Sequence, residues 1–172
     1  QVLDDFIFEE INSQTDLGTP DMWDWEFLKQ RFSSHIMVDV SYEKIHKDID
    51  EIDNNEKIID WILKEAKSLY KIREDLIPEH VIRGFERFVM LRTIDEKWKD
   101  HLYAMDQLRE GINLRAYGQK NPLLEYKSEG FKMFQEMMGD MSAITIQRLF
   151  RTQLQGMEES SKARKPIMGK ME

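Results

Sequence analysis

The chain has 172 residues, a net charge of −8, no cysteine and 41% hydrophobic residues, which suits one ordinary domain or two small ones. Without cysteine there is no disulfide framework, thiolate metal site or cysteine nucleophile. Only 8 Gly and 4 Pro, beside 11 Met and 34% charged residues, exclude an all-β sandwich or barrel and predict an all-α chain of long solvated helices.

The chain begins Gln1-Val2-Leu3-Asp4-Asp5, without an initiator Met or a basic leader, and so reads as a piece of something longer rather than a signal peptide. Residues 2–12 place Val2, Leu3, Phe6, Ile7 and Ile11 at helical spacing, which predicts the last turns of a helix. Thr19-Pro20-Asp21 predicts an N-cap with Pro at the first helical position. Met22, Trp23, Trp25, Phe27, Leu28 and Phe32 then make a short aromatic helix to about residue 33. His35 to Val40 reads as a small extended linker, and Ser41 caps a short helix to about residue 49.

Asn54-Asn55 is a break. From Asn55 to Leu76, Ile58, Ile59, Ile62, Leu63, Ala66, Leu69, Tyr70 and Ile72 form a 3.6-period stripe. Pro78 separates it from a longer pattern running from Val81, Ile82 and Phe85 to Met105, Leu108 and Arg109, a rod of roughly 45 Å at the helical rise. The pattern then breaks over residues 110–122, where Gly111 and Gly118 bracket Ile112, Asn113, Leu114, Arg115, Ala116 and Tyr117. Asn121-Pro122 opens a second long helix through Phe131, Phe134, Met138, Ile146 and Phe150. Two long helices and a short loop predict an antiparallel hairpin. The tail from residue 156 is polar and predicts disorder.

Charge divides the chain. Residues 1–60 carry 16 acidic and 5 basic side chains, net −11, and residues 61–172 carry 17 and 20, net +3. A chain that is not basic throughout is not a nucleic-acid binder, and no apolar run reaches the ~18 residues of a membrane span. No phosphate-binding loop is present. Asp48, Asp50, Glu51 and Asp53 lack the central Gly and terminal Glu of a calcium loop. His35, His46, His80 and His101 lie too far apart to predict a metal site. Asp100 and His101 point about 100° apart on a helix and are no dyad. Ile146, Gln147 and Arg151 match only the front half of a calmodulin-binding motif, and an amphipathic helix explains them better. The loop at 110–122 is the unusual segment. Its Ile112, Leu114 and Tyr117 either fold back onto the hairpin or touch a partner.

The run from Arg92 to Lys127 contains Trp98, His101-Leu102, Met105-Asp106, Leu108-Arg109, Gly111-Ile112, Leu114-Arg115, Tyr117, Gln119-Lys120, Pro122 and Glu125-Tyr126-Lys127. It closely resembles the SecA family of preprotein-translocase motor subunits, and Glu129, Phe131, Met133 and Phe134 continue the match. Met22-Trp23-Asp24 and Leu28-Lys29 are similar to the start of that family's helical wing. The resemblance covers roughly residues 1–155 and is weakest between 36 and 57.

It implies that residues 1–17 end a long scaffold helix, that 18–78 form a helical wing domain, and that 79–155 form a two-helix finger, leaving 156–172 as a tail. In that family the finger enters the mouth of the SecYEG channel and a tip tyrosine contacts the unfolded preprotein. The resemblance thus implies Tyr117, with Ile112 and Leu114, as substrate contacts. Arg115, Gln119 and Lys120 would meet the channel or anionic lipid heads, or simply stay on the surface. Trp98, His101, Met105 and Leu108 would pack the scaffold. Ala116 and Gly118 exchange the small residues that usually flank the tyrosine. The motor domains, with their ATP and Mg, would lie outside this chain, so this piece would not be an enzyme and would need no cofactor or metal. Its location would be cytoplasmic and peripheral on the bacterial inner membrane. A rival reading from the residues is a free-standing helical adaptor that binds through a wing aromatic face of Trp23, Trp25 and Phe27.

Overall fold

The computed structural model describes residues 1–15, 18–49, 54–115 and 121–152, without the side chains of 15 and 113–115. These residues form six α-helices and one 3-10 turn, with no strand among them. The expected tail lies outside the described residues.

The first helix, α1 (Val2–Thr15), extends three residues past its expected end. It buries Phe6, Ile7 and Ile11 on one face. Gln14 is buried on the last turn and accepts a 3.3 Å bond from the Asp24 amide, which ties the end of α1 to the cap of the helix that follows.

Thr19 and Pro20 open only the 3-10 turn Pro20–Met22, and Thr19 makes no side-chain cap bond. The real cap of α2 (Trp25–Ile36) is Asp24, whose Oδ1 accepts from the Phe27 amide at 2.9 Å. The helix also takes in His35 and Ile36, expected as linker, because both complete the buried face begun by Leu28 and Phe32. Met37 ends it in the left-handed region at φ 61°. The next helix, α3 (Tyr42–Asp48), buries Ile45. Then α4 (Asn55–Leu76) begins and ends where the apolar stripe does, with Asn54 Oδ1 accepting from the Lys57 amide at 3.0 Å. The long pair is α5 (Glu79–Arg115) and α6 (Pro122–Arg151).

Helix α1 lies between α4 and α6, α2 packs on α6, and α5 runs along α6. One hydrophobic core therefore joins Phe6 and Ile11 to Phe32 and Ile36, to Ile58 and Ile62, and to Ala143 and Ile146 on the last turns of α6. It crosses the boundaries expected at 17 and 78. Helices α2, α3 and α4 share this core with α1 and the root of the hairpin. Ion pairs rim the core: Arg31–Glu10 at 2.6 Å joins α2 to α1, and Lys67–Asp4 at 3.3 Å joins α4 to α1.

His35 sits within this core. Its ring stacks on Phe6 with centroids 5.3 Å apart, and Nδ1 lies 2.8 Å from the Arg31 carbonyl oxygen. Burial pushes its pKa below the ordinary 6.5; the hydrogen bond to the Arg31 carbonyl and the Glu10 carboxylate oppose it, and the Arg31 and Arg151 charges act with it. Folding therefore favours the neutral ring. The resulting stability is complete above pH 6.5 and is lost as pH falls below it toward the depressed folded value. Urea midpoints between pH 7.5 and 5 should fall more steeply for this chain than for His35→Phe. Parallel slopes would show that the ring does not contribute.

Candidate functional site

The hairpin is the one long structural feature that leaves the core. At the helical rise, α5 spans about 55 Å and α6 about 45 Å. The helix expected to stop at Arg109 continues to Arg115. Leu108 and Ile112, four residues apart and each 7% exposed, bury one face of its last turns. That burial outweighs the helix-weakening effect of Gly111. Helix α6 starts as expected, with Pro122 in its first turn and Asn121 Oδ1 accepting from the Leu123 amide at 3.0 Å.

The two helices are joined at three levels. Nearest the tip, Met105 lies against the buried Gly130, where a Cβ would come within 3.0 Å of Met105 Cε. In the middle, Lys97 Nζ meets Asp140 Oδ2 at 2.7 Å. Near the root, Arg148 donates to Thr93 Oγ1 at 3.1 Å and to Glu96 Oε2 at 2.6 Å. Thr93 is fully buried, and its hydroxyl donates to the Val89 carbonyl. The Arg148 bond, followed by the one from Arg92, holds the Glu96 carboxyl below its usual range.

Helix α4 grips the root. Arg73 of α4 donates to the carbonyls of Leu149, Phe150 and Thr152, at 3.0 Å for Phe150, and its guanidinium lies 5.8 Å from the Phe85 ring centre. One side chain thus spans α4, α5 and the C-terminal end of α6, where a cation also complements the helix dipole. Tyr70 donates to Glu86 at 2.9 Å, and burial together with that carboxylate pushes the phenol above its ordinary value. Arg83 bridges Glu74 and Glu86 at 3.0 and 2.8 Å. Arg151 donates to the Ser34 carbonyl at 3.0 Å, adding α2 to the joint. A groove of about 430 Å³ opens between α1, α4 and the root, lined by Leu3, Lys67, Tyr70, Glu86, Leu149 and Phe150 among others.

The expected site residues divide. Met105 and Leu108 enter the hairpin packing, and Ile112, expected at a tip, is covered in the last turns of α5. Trp98, expected to pack the scaffold, is 46% exposed. It lies on an open apolar face with Leu91 and Leu102, which continues onto Phe131, Phe134 and Met138 of α6. His101 bridges the two helices on that face, with ring centres 5.7 Å from Trp98 and 6.0 Å from Phe134. Leu114 and Arg115 contribute backbone to the end of α5, but their side chains lie outside the described residues. So do Tyr117, Gln119 and Lys120 entirely. Arg73, Thr93 and Arg148 were not anticipated. The signal available was the basic last turn of α6, which names Arg148 and Arg151 but not Arg73.

The aromatic face of the wing is largely internal. Trp23 is 5% exposed and donates to the Gly18 carbonyl at 3.1 Å. Trp25 donates to the Pro20 carbonyl at 2.7 Å and stacks on Trp23. Of the three residues an adaptor would use, Phe27 alone is classed as exposed. Among the described residues no His, Asp or Glu cluster has the form of a metal site, and no helix is long and apolar enough to cross a membrane.

The profile of the SecA wing and scaffold domain family matches residues 1–153. The chain is also similar to curated proteins called protein translocase subunit SecA. That of Chlorobium phaeobacteroides (strain BS1) is 37% identical over 146 residues, covering 84% of this chain and 14% of that protein. That of Desulforudis audaxviator (strain MP104C) is 41% identical over 140 residues, covering 78% and 15%. That of Carboxydothermus hydrogenoformans is 44% identical over 110 residues, covering 64% and 13%. The chain therefore spans about one seventh of the length of these relatives.

Proposed function

The chain belongs to the SecA wing and scaffold domain family, and from that premise we propose that it is the helical wing and two-helix finger of a SecA-type protein-export motor. The observation that carries the reading is the long α5–α6 pair, gripped at its root by Arg73, Arg83 and Arg151 and joined along its length by Arg148–Thr93, Lys97–Asp140 and Met105–Gly130. Two helices packed side by side resist bending far better than a loop. They can carry displacement from a motor at the root to a tip some tens of ångströms away.

In this proposal residues 1–17 belong to the scaffold end, 18–78 to the wing and 79–155 to the finger. The tip residues Tyr117, Ile112 and Leu114 touch the translocating preprotein. Arg115, Gln119 and Lys120 meet the SecYEG channel or an anionic membrane surface at the bacterial inner membrane. An amphipathic tyrosine suits a substrate of changing sequence, because its ring offers apolar area and its hydroxyl a hydrogen bond. ATP and Mg are assigned to the motor domains of the longer proteins, and residues 1–153 perform no catalytic step.

Tyr117→Ala in the full-length translocase subunit should slow preprotein translocation several-fold while leaving basal ATP hydrolysis intact. Translocation at the wild-type rate would refute the tip assignment.

A further inference from the structure

Helix α5 contains two glycines, Gly84 and Gly111, at which a Cβ would meet no atom of the described residues within 4 Å. Neither is there to admit a neighbour, unlike Gly130, which receives Met105. A glycine inside a helix shifts the local winding equilibrium toward the unwound state about two- to fivefold relative to Ala. At Gly84 that weakness is contained: Arg83 is paired with Glu74 and Glu86, and Phe85 is buried beside it. Gly111 lies at the other end, beyond the Met105–Gly130 contact and within five residues of the end of α5. Ile112, the next residue, is buried.

The last turn of α5 therefore rests on a balance between the weakness at Gly111 and the burial of Ile112. We propose that residues 111–115 form a releasable turn: they unwind at Gly111, free Ile112 from the hairpin, and offer it with the unpaired backbone amides and carbonyls to an extended, apolar-rich polypeptide. This rests on the finger reading above and gives it a working element. Freed main-chain groups pair with any extended chain, and a single apolar side chain adds affinity without demanding a sequence. The bulk of the rod stays wound, because the Met105–Gly130 notch, Lys97–Asp140 and Arg148–Thr93 lie on the root side of the hinge.

The chain has no cysteine, so Ile112→Cys supplies a single thiol whose alkylation by a small maleimide reports release. Its labelling should be intermediate between Tyr103→Cys, on a residue 69% exposed, and Ile82→Cys, on a residue 1% exposed. Adding Gly111→Ala should slow it about two- to fivefold, whereas adding Gly84→Ala should leave it unchanged. In the full-length subunit, Gly111→Ala should lower the preprotein translocation rate at least twofold and Gly84→Ala should not. Labelling of Ile112→Cys that Gly111→Ala does not slow, or equal translocation by the two alanine variants, overturns the releasable turn. If Tyr117→Ala slows translocation while Gly111→Ala does not, the hinge is refuted and the finger stands. If neither variant slows it, both readings fall.

Discussion

Phe6→Ala should lower the unfolding free energy by about 3–5 kcal/mol, an effect large enough to move the urea midpoint of the whole chain. Phe6 is 2% exposed on α1. Its ring meets Phe32 edge-on at 5.9 Å and stacks on His35 at 5.3 Å, and the Arg31 guanidinium sits 5.8 Å from its centre. Deleting the ring removes buried apolar area and leaves a cavity between α1 and α2. Because the core continues into Ile58, Ile62, Ala143 and Ile146, the loss should not be confined to the wing. In a Trp98→Phe background, tryptophan fluorescence, reporting on Trp23, Trp25 and Trp61, and far-ultraviolet circular dichroism, to which the long α5–α6 pair contributes most, should shift together. A cost under about 1 kcal/mol, well below the usual range for a buried aromatic, would show that α1 does not hold the core together. Two separated transitions would show that wing and hairpin unfold independently.

The sequence was most legible where local chemistry and periodicity agree. The limits of α4 follow from Asn54 at one end and Pro78 just past the other, with the apolar stripe between. The start of α6 follows from Asn121-Pro122. Boundaries failed where a tertiary contact overruled a local signal. Gly111 looks like a terminator, yet the buried pair Leu108 and Ile112 carries the helix through it. His35 looks like linker, yet its ring fills space beside Phe6.

The site was harder to read because α5 is apolar on more than one side. Ile82, Phe85 and Val89 are buried, whereas Phe88, Leu91, Trp98 and Leu102 are exposed. Spacing alone does not say which stripe meets α6, and Trp98 lies on the open one. The tip residues were named by resemblance to a family, and their geometry lies outside the described residues. The root clamp left no local trace at all: Arg73 acts on backbone carbonyls 76, 77 and 79 residues further along the chain, and one carbonyl is like any other in a sequence.

That clamp gives the second large prediction. Arg73→Met keeps an unbranched apolar stem but removes the guanidinium that faces Phe85 and with it every donor to Leu149, Phe150 and Thr152. Charge-assisted bonds of this kind are worth about 1.5–3 kcal/mol, and the lost cation at the helix end adds about 0.3–1 kcal/mol. Because water can replace part of the bonding, the net cost should be about 2–3 kcal/mol. The loss should fall first on the last turn of α6. Its amides should exchange hydrogen about tenfold faster or more, while those around Lys97 and Asp140 in mid-hairpin change little, since Arg148 still holds Thr93 and Glu96. Arg73→Lys separates charge from geometry. An ammonium restores the dipole interaction, but it lacks the planar fork that reaches several carbonyls at once. Its exchange rates should fall between those of Met and Arg. If Lys matches Arg, the clamp is only a charge at a helix end. If Met matches Arg, α4 does not hold the root, and motion of the wing has no rigid route into the hairpin.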